Sequence, residues 1–130
     1  MIFVYVKHFL SEKGRIYFDN KWYPYVNERI RRQEGFVSIE TSRESSCENC
    51  INITVIFEDQ EKLMTWVKHQ DHQMVINDLD IYRTKGQRWY ISNGSVSVPD
   101  WELWDEAPLS TNRFCSHTDR PQRRAVLKDA

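Results

Sequence analysis

The sequence is short of several features, and each shortage excludes a class of protein. Its cysteines number only 3, which is too few for a disulfide scaffold and is also an odd number. No apolar run approaches the roughly 20 residues that a membrane helix needs. The formal net charge is −1, so no surplus of positive charge draws the chain to nucleic acid or to a membrane surface. No internal repeat recurs at a fixed period.

What the sequence does contain indicates one globular domain. A chain of 130 residues with 13% aromatic and 28% charged residues can bury a substantial core. The first ten residues, MIFVYVKHFL, lack the basic segment and cleavage site of a secretory signal. We therefore expect them to form a strand, and we expect the protein to be cytoplasmic.

The spacing of apolar residues predicts the element order βαββαβ, an α+β ferredoxin-like fold with an antiparallel sheet. Strands are expected at residues 2–10, 36–41, 51–58 and 81–91, and a helix within residues 15–34. Pro24 favours a regular helix that starts at residues 21–23, and Gly35 is expected as its C′ residue. Residues 1–93 form the predicted domain, and residues 94–130 form a C-terminal tail that packs on the domain or on a partner subunit.

The segment FEDQEKLMTWVKHQDHQMVINDL, residues 57–79, concentrates the candidate chemistry. Asp59 is expected to cap one helix and Asp71 a second. Trp66 and His69 are three residues apart and share a helical face. His72 falls in the first turn of the second helix, where the helix dipole favours a neutral imidazole. The alternative is that Trp66 belongs to the core and both histidines are half-exposed residues at helix ends.

The cysteines have two interpretations. Cys47 and Cys50 form a C-x-x-C in a polar hairpin loop, and Cys115 and His117 lie far along the chain. The four side chains make a conceivable zinc set, although the signal is weaker than that of two C-x-x-C pairs. We expect no metal, and the cysteines are then inert or redox-labile thiols.

Three passages resemble the antibiotic-biosynthesis-monooxygenase-like domains of the dimeric α+β barrel superfamily. They are the Gly-Phe handover RRQEGFVSIE, the strand with an acidic end ITVIFEDQEKLMTW, and the histidines that follow a tryptophan in HQDHQMV. The resemblance implies a dimeric barrel with a pocket between sheet and helices. Members of that family include oxygenases that need no cofactor, so the resemblance implies that this activity is possible here.

The resemblance and the residue types together give a functional hypothesis. The protein is expected to be a monooxygenase that acts on a small aromatic substrate with no tightly bound cofactor. His72 or His8 would be the general base, and Trp22, Tyr23, Phe57, Trp66 and His69 would contact the substrate. The alternative is a dimeric module that binds a small molecule or has a structural role, without catalysis. A homodimer is expected because both faces of the first strand are apolar, and helices can cover only one of them.

Overall fold

A computed structural model describes residues 1–93 and the backbone of residues 105–106. The strands are β1 (Ile2–Leu10), β2 (Phe36–Glu44), β3 (Cys47–Phe57), β4 (Arg83–Ser92) and β5 (Asp105–Glu106). The helices are α1 (Glu12–Tyr17), α2 (Tyr23–Ile30), α3 (Gln60–Lys68) and α4 (Gln70–Asp80), with a π-helical turn, Phe18–Trp22, between α1 and α2. Within the described part of the chain, no helix is long and apolar enough to span a membrane.

The sheet confirms the predicted ferredoxin-like fold. Its order is β2-β3-β1-β4-β5, and every described pairing is antiparallel. β1 lies in the middle, with Val6 opposite Ile53 of β3 and Trp89 of β4. β5 pairs through its backbone with β4, so residues 105–106 of the tail extend the sheet. The rest of the predicted tail, residues 94–104 and 107–130, lies outside the described residues.

The first helical segment begins and ends earlier than predicted, at residues 12 and 30, and it is less regular. Its buried row is Phe18, Trp22, Val26 and Ile30, which recur at every fourth residue. A regular α-helix would rotate such a row out of the core, but a π turn takes up one extra residue. Ile16 lies outside this row and is 45% exposed. Pro24 occupies the first turn of α2, as predicted.

Two predicted helix ends differ from the structure. α2 ends at Ile30, and five residues of turn separate it from β2, so Gly35 is not its C′ residue. Gly35 has φ +86°, and a Cβ there would lie 2.4 Å from the Lys62 side chain, so glycine is needed to pass over α3. The N-cap of α4 is His69 rather than Asp71; its Nδ1 accepts from the Asp71 backbone N–H at 3.0 Å. Asp59 caps α3, as predicted.

The two faces of the sheet have different neighbours. Val4, Val6 and His8 of β1 point to the helices, where the main core lies. Phe3 and Tyr5 point to the opposite face, where Tyr5 stacks on Phe3 and on Tyr90 with ring centroids 6.4 and 6.3 Å apart. The helix-facing side therefore holds the enclosed space of the domain.

The start of β3 differs from the prediction, since Cys47 and Cys50 lie in this strand rather than in a hairpin loop. Cys47 and Cys50 are joined by a disulfide. The pairing with β2 jumps from Arg43 opposite Ile51 to Glu44 opposite Cys47. Residues 48–50 therefore form a bulge in β3, and the disulfide closes it.

Candidate functional site

A small cavity lies between the sheet and the helices. Its volume is about 60 Å³. The lining is apolar apart from three side chains, His8, His72 and Gln87. The apolar lining is Val6, Trp22, Val26, Ile30, Ile39, Ile53, Val55, Trp66, Val75 and Ile76. Few polar groups in an apolar cavity are the usual composition of a small-molecule site.

His8 reaches the cavity from the middle strand and is held by an arginine. Nη1 of Arg83 lies 2.8 Å from Nδ1 of His8, and Nε of Arg83 donates to Asp80 at 2.9 Å. A guanidinium can only donate, so Nδ1 accepts and the ring proton resides on Nε2. Burial, and secondly the positive charge of Arg83, hold the pKa of His8 well below its usual range. His8 is therefore a neutral hydrogen-bond donor, and the contact with Arg83 argues against its predicted role as a base.

His72 is the third helical residue of α4 and is 7% exposed. Burial lowers its pKa to about 4; a hydrogen bond to the Val67 backbone raises it, and His69 nearby lowers it. The sequence predicted a neutral ring from the helix dipole, whereas burial is the main cause in the structure. A neutral imidazole has one donor and one acceptor nitrogen. Because the Val67 carbonyl takes the ring N–H, the other nitrogen carries the lone pair that a base needs.

Gln87 is the polar lining residue that sequence reasoning missed. It is 3% exposed, and its Oε1 accepts no hydrogen bond from the residues that the structure describes. A buried amide oxygen without a donor costs about 1–3 kcal/mol. Gln87, Trp89 and Ile91 are every second residue of β4, and all three are buried. This spacing of two residues places Gln87 on the inner face with Trp89 and Ile91, and the sequence alone contained that signal.

Two tryptophans fix the cavity walls against the helices. Nε1 of Trp22, in the π turn, donates to the Val75 carbonyl of α4 at 2.6 Å. The same ring meets His8 edge to face, with centroids 5.8 Å apart. Trp66 of α3 meets His72 edge to face at 5.3 Å. Each histidine is therefore held against one tryptophan.

The structure does not bring all the predicted site residues together. His8, His72, Trp22 and Trp66 line the cavity, whereas Tyr23, Phe57 and His69 are absent from its lining. Tyr23 stacks on Phe18 at 5.8 Å, and Phe57 packs in the core edge to face with Phe36. The His69 side chain is 40% exposed and caps α4.

The Cys47–Cys50 disulfide argues against the zinc hypothesis. A sulfur in a disulfide is not a thiolate, so in this oxidised state Cys47 and Cys50 cannot ligate zinc. Cys115 and His117 lie outside the described residues. In the described part of the chain, no group of three or more His, Cys, Asp and Glu side chains could hold a metal ion.

Comparison with known proteins identifies the fold. No protein-family model and no curated protein sequence matches the chain. Among solved structures, an antibiotic biosynthesis monooxygenase aligns with TM-score 0.64 and 11% identity, covering 76% of this chain and 100% of that one. A conserved protein from Methanosarcina mazei aligns with TM-score 0.67 and 15% identity, covering 72% and 92%.

A third structure carries a stated activity. SnoaB from Streptomyces nogalater, a cofactor-independent oxygenase, aligns with TM-score 0.62 and 15% identity, covering 76% of this chain and 98% of that one. At such identities the likeness is one of fold. The chain thus has the α+β ferredoxin-like fold of antibiotic-biosynthesis-monooxygenase domains.

Proposed function

We propose that the protein is a monooxygenase that oxidises a small phenolic aromatic molecule without a bound cofactor, in the cavity between sheet and helices. The observation that supports it is the placement of two neutral, buried histidines on one apolar cavity with Gln87. The fold shared with SnoaB, a cofactor-independent oxygenase, agrees with this function.

The two histidines take different roles in this proposal. The lone pair of His72 accepts the phenolic proton, and the Nε2–H of His8 donates to the oxygen that becomes negative. Arg83 keeps that proton on Nε2 by occupying Nδ1. The reacting oxygen would then lie between a base and a donor, in a cavity where apolar walls strengthen both interactions.

The chemistry needs no reductant beyond the substrate. For an anthrone-type molecule, the enolate carbon transfers an electron to O₂ and then bonds to the reduced oxygen. The resulting hydroperoxide loses water, so one oxygen atom becomes the product carbonyl and the other leaves as water. The methylene carbon is oxidised by four electrons, and these reduce the two oxygen atoms.

The low basicity of His72 limits when it can act. A ring with a pKa of about 4 removes a proton from a phenol poorly. A phenolate within about 4–6 Å favours the imidazolium and raises that pKa, so the pair is stabilised together. We therefore expect His72 to be a base only after the substrate is bound.

The low basicity of His72 favours a second candidate, a binding module without catalysis. In either candidate the cavity has to widen. About 60 Å³ accommodates O₂ or water, whereas a cavity that binds benzene measures about 150 Å³. An aromatic ring therefore enters only if wall side chains move. If ligands bind but the histidines never gain basicity, the protein binds such molecules without oxidising them.

Oxygen consumption with an anthrone tests the proposal. The wild type should consume one O₂ per anthrone faster than the spontaneous reaction measured without protein. His72→Ala should lower the rate about 10²–10⁴-fold, the usual contribution of a general base. His69→Asn is the matched control and should keep the wild-type rate, because this residue lies outside the cavity and asparagine can still cap α4.

Two results would contradict the proposed oxygenase activity. One is an oxygen-uptake rate no greater than that of the protein-free solution. The other is a His72→Ala rate equal to that of the wild type. If an anthrone binds in either case, the binding module becomes the better account.

A further inference from the structure

A second cleft lies at the β2–β3 turn, apart from the cavity with the histidines. Its volume is about 450 Å³, within the range of small-molecule sites. Its lining includes Lys7, Phe9, Glu44, Cys47, Cys50 and Lys85. The Cys47–Cys50 disulfide is thus part of a cleft wall.

The two cysteines differ in access. Cys47 is partly exposed, whereas Cys50 is 4% exposed and lies opposite Phe9 of β1. Thiol–disulfide exchange begins when a thiolate attacks the accessible sulfur, and the other sulfur leaves. This arrangement makes Cys47 the sulfur attacked and Cys50 the leaving group.

The bridge contributes little as a staple of the fold. It spans a sequence separation of 3 residues within one strand, and the entropic gain from a disulfide falls as its loop shortens. The sheet already holds both sides of the bulge, by the pairing of Glu44 with Cys47 and of Phe9 with Cys50. Breaking the bridge therefore leaves the strand pairing that surrounds it.

Positive charge lies on the same side of the sheet as Cys50. Lys7 pairs with Asn52, two residues along β3 from Cys50, so Lys7 and Cys50 are diagonal neighbours on one face. The ammonium of Lys7 forms an ion pair with Glu44, and Nζ of Lys85 lies 5.2 Å from the Phe9 ring centroid. Lys7 and Lys85 favour a Cys50 thiolate, which makes it a better leaving group, whereas Glu44 and Glu48, which line the same cleft, oppose it.

We propose that Cys47 and Cys50 form a thiol–disulfide exchange site for a low-molecular-weight thiol that binds in this cleft. The thiolate of the small molecule attacks Sγ of Cys47, an S–S bond forms between them, and the Cys50 thiolate leaves. A second small thiolate attacks the mixed disulfide; Cys47 is released as a thiol, and the small molecule leaves as its own disulfide. Two electrons pass from the two small thiols to the protein.

The exchange site is separate from the cavity with the histidines. The site uses none of the residues that line the cavity with the histidines. It therefore stands or falls independently of the proposed oxygenase.

Glutathione is a suitable probe, and the full chain with Cys115→Ser keeps the pair as its only thiols. The oxidised protein is incubated with millimolar reduced glutathione without denaturant, quenched by alkylation and weighed by mass spectrometry. We expect a transient adduct of one glutathione, followed by the dithiol. A bridge that is reduced only in denaturant would overturn the proposal, because it would be structural.

Single-cysteine variants in the Cys115→Ser background test which sulfur reacts. With Cys50→Ser, oxidised glutathione should give a stable mixed disulfide at Cys47. With Cys47→Ser, the buried Cys50 should react at about one tenth of the rate of Cys47 or more slowly, since exchange depends on access. These variants compare the two thiols as attacking groups; glutathione mapped to Cys50 rather than Cys47 in the adduct that forms on the oxidised protein would overturn the assignment of Cys47 as the attacked sulfur. Circular dichroism shows that each variant is folded before it is compared.

Discussion

Arg83 donates to Nδ1 of His8 at 2.8 Å and thereby links the start of β4 to the C-terminal part of β1. The contact determines the tautomer of a histidine that lines the cavity. His8 was predicted as an alternative base, but its Nδ1 is occupied by a cation, and its Nε2 carries the proton. Of the two predicted catalytic histidines, His72 is therefore the remaining candidate for the base.

The first prediction concerns that tautomer. In ¹⁵N spectra of imidazole-labelled protein at neutral pH, the wild type should show His8 protonated at Nε2 only. Arg83→Met should allow the Nδ1–H form and raise the pKa of His8, because the guanidinium charge lowers it. Arg31→Met, at a surface arginine that bonds to Asn27, should change neither. A wild-type ring protonated at Nδ1 would refute the assignment.

The second prediction concerns stability and pH. The pKa of His72 falls from 6.5 to about 4 on folding, so between these values the unfolded chain binds more protons. The free energy of unfolding should therefore be highest above about pH 6.5 and fall towards pH 4, by on the order of 3 kcal/mol from His72. Burial lowers the pKa of His8 in the same direction.

Urea unfolding at several pH values measures this dependence. His72→Leu should flatten the slope between pH 6.5 and 4, since one buried titrating group is removed. His69→Leu replaces a 40% exposed histidine and should keep most of the slope. Equal slopes for the wild type and His72→Leu would show that the folded state protonates His72 normally.

Much of the fold could be predicted because it depends on local patterns. β1 begins and ends where its run of Val, Ile, Phe and Tyr begins and ends, and Asp59 caps α3 as its position indicates. The π turn could not be predicted, since a row of every fourth residue from Phe18 to Ile30 also fits an irregular α-helix. The end of α2 was misplaced because Gly35 resembles a helix terminator, while its actual neighbour is Lys62 of α3.

The site was less predictable because tertiary contacts assemble it. The contact of Arg83 with His8 joins residues 75 positions apart, and no local spacing indicates it. Phe57 shares a face with Ile53 and Val55 but lies beyond the cavity at the strand end. Gln87 is different, because its spacing of two and four residues from Trp89 and Ile91 could have placed it on the inner face of the sheet. A buried glutamine among apolar residues is a signal worth seeking in such strands.

The third prediction uses Gln87. Gln87→Leu removes a buried amide whose Oε1 has no donor among the described residues, so it should stabilise the fold by about 1 kcal/mol. It should also weaken binding of phenolic ligands, because it removes a polar group from the cavity. Gln33→Leu is the control; its amide donates to the Arg29 carbonyl outside the cavity. Unfolding curves and ligand titrations measure the two effects, and a destabilised Gln87→Leu with unchanged affinity would contradict both.

The fourth prediction is a homodimer formed through the face of the sheet opposite the helices. Ile56 lies there beside Phe3, and the Phe3, Tyr5 and Tyr90 rings form a row across β1 and β4. Interfaces of obligate dimers commonly bury more than about 2,000 Å², and a charge in such a surface is costly. Sedimentation at low micromolar concentration should give a dimer for the wild type and a smaller species for Ile56→Lys. A wild type that sediments at 15.7 kDa would refute the dimer.

A titration with 1-naphthol measures whether the cavity binds a small phenolic molecule. This ligand has a phenolic O–H but no methylene carbon to oxidise, so binding is observed without turnover. The reporters are the Trp22 indole N–H, which bonds to the Val75 carbonyl, and the ring signals of His8 and His72. We predict saturable shifts of all three with one common dissociation constant, and an exposed His69 signal that changes little. Unchanged signals from Trp22, His8 and His72 at saturating 1-naphthol would contradict the account.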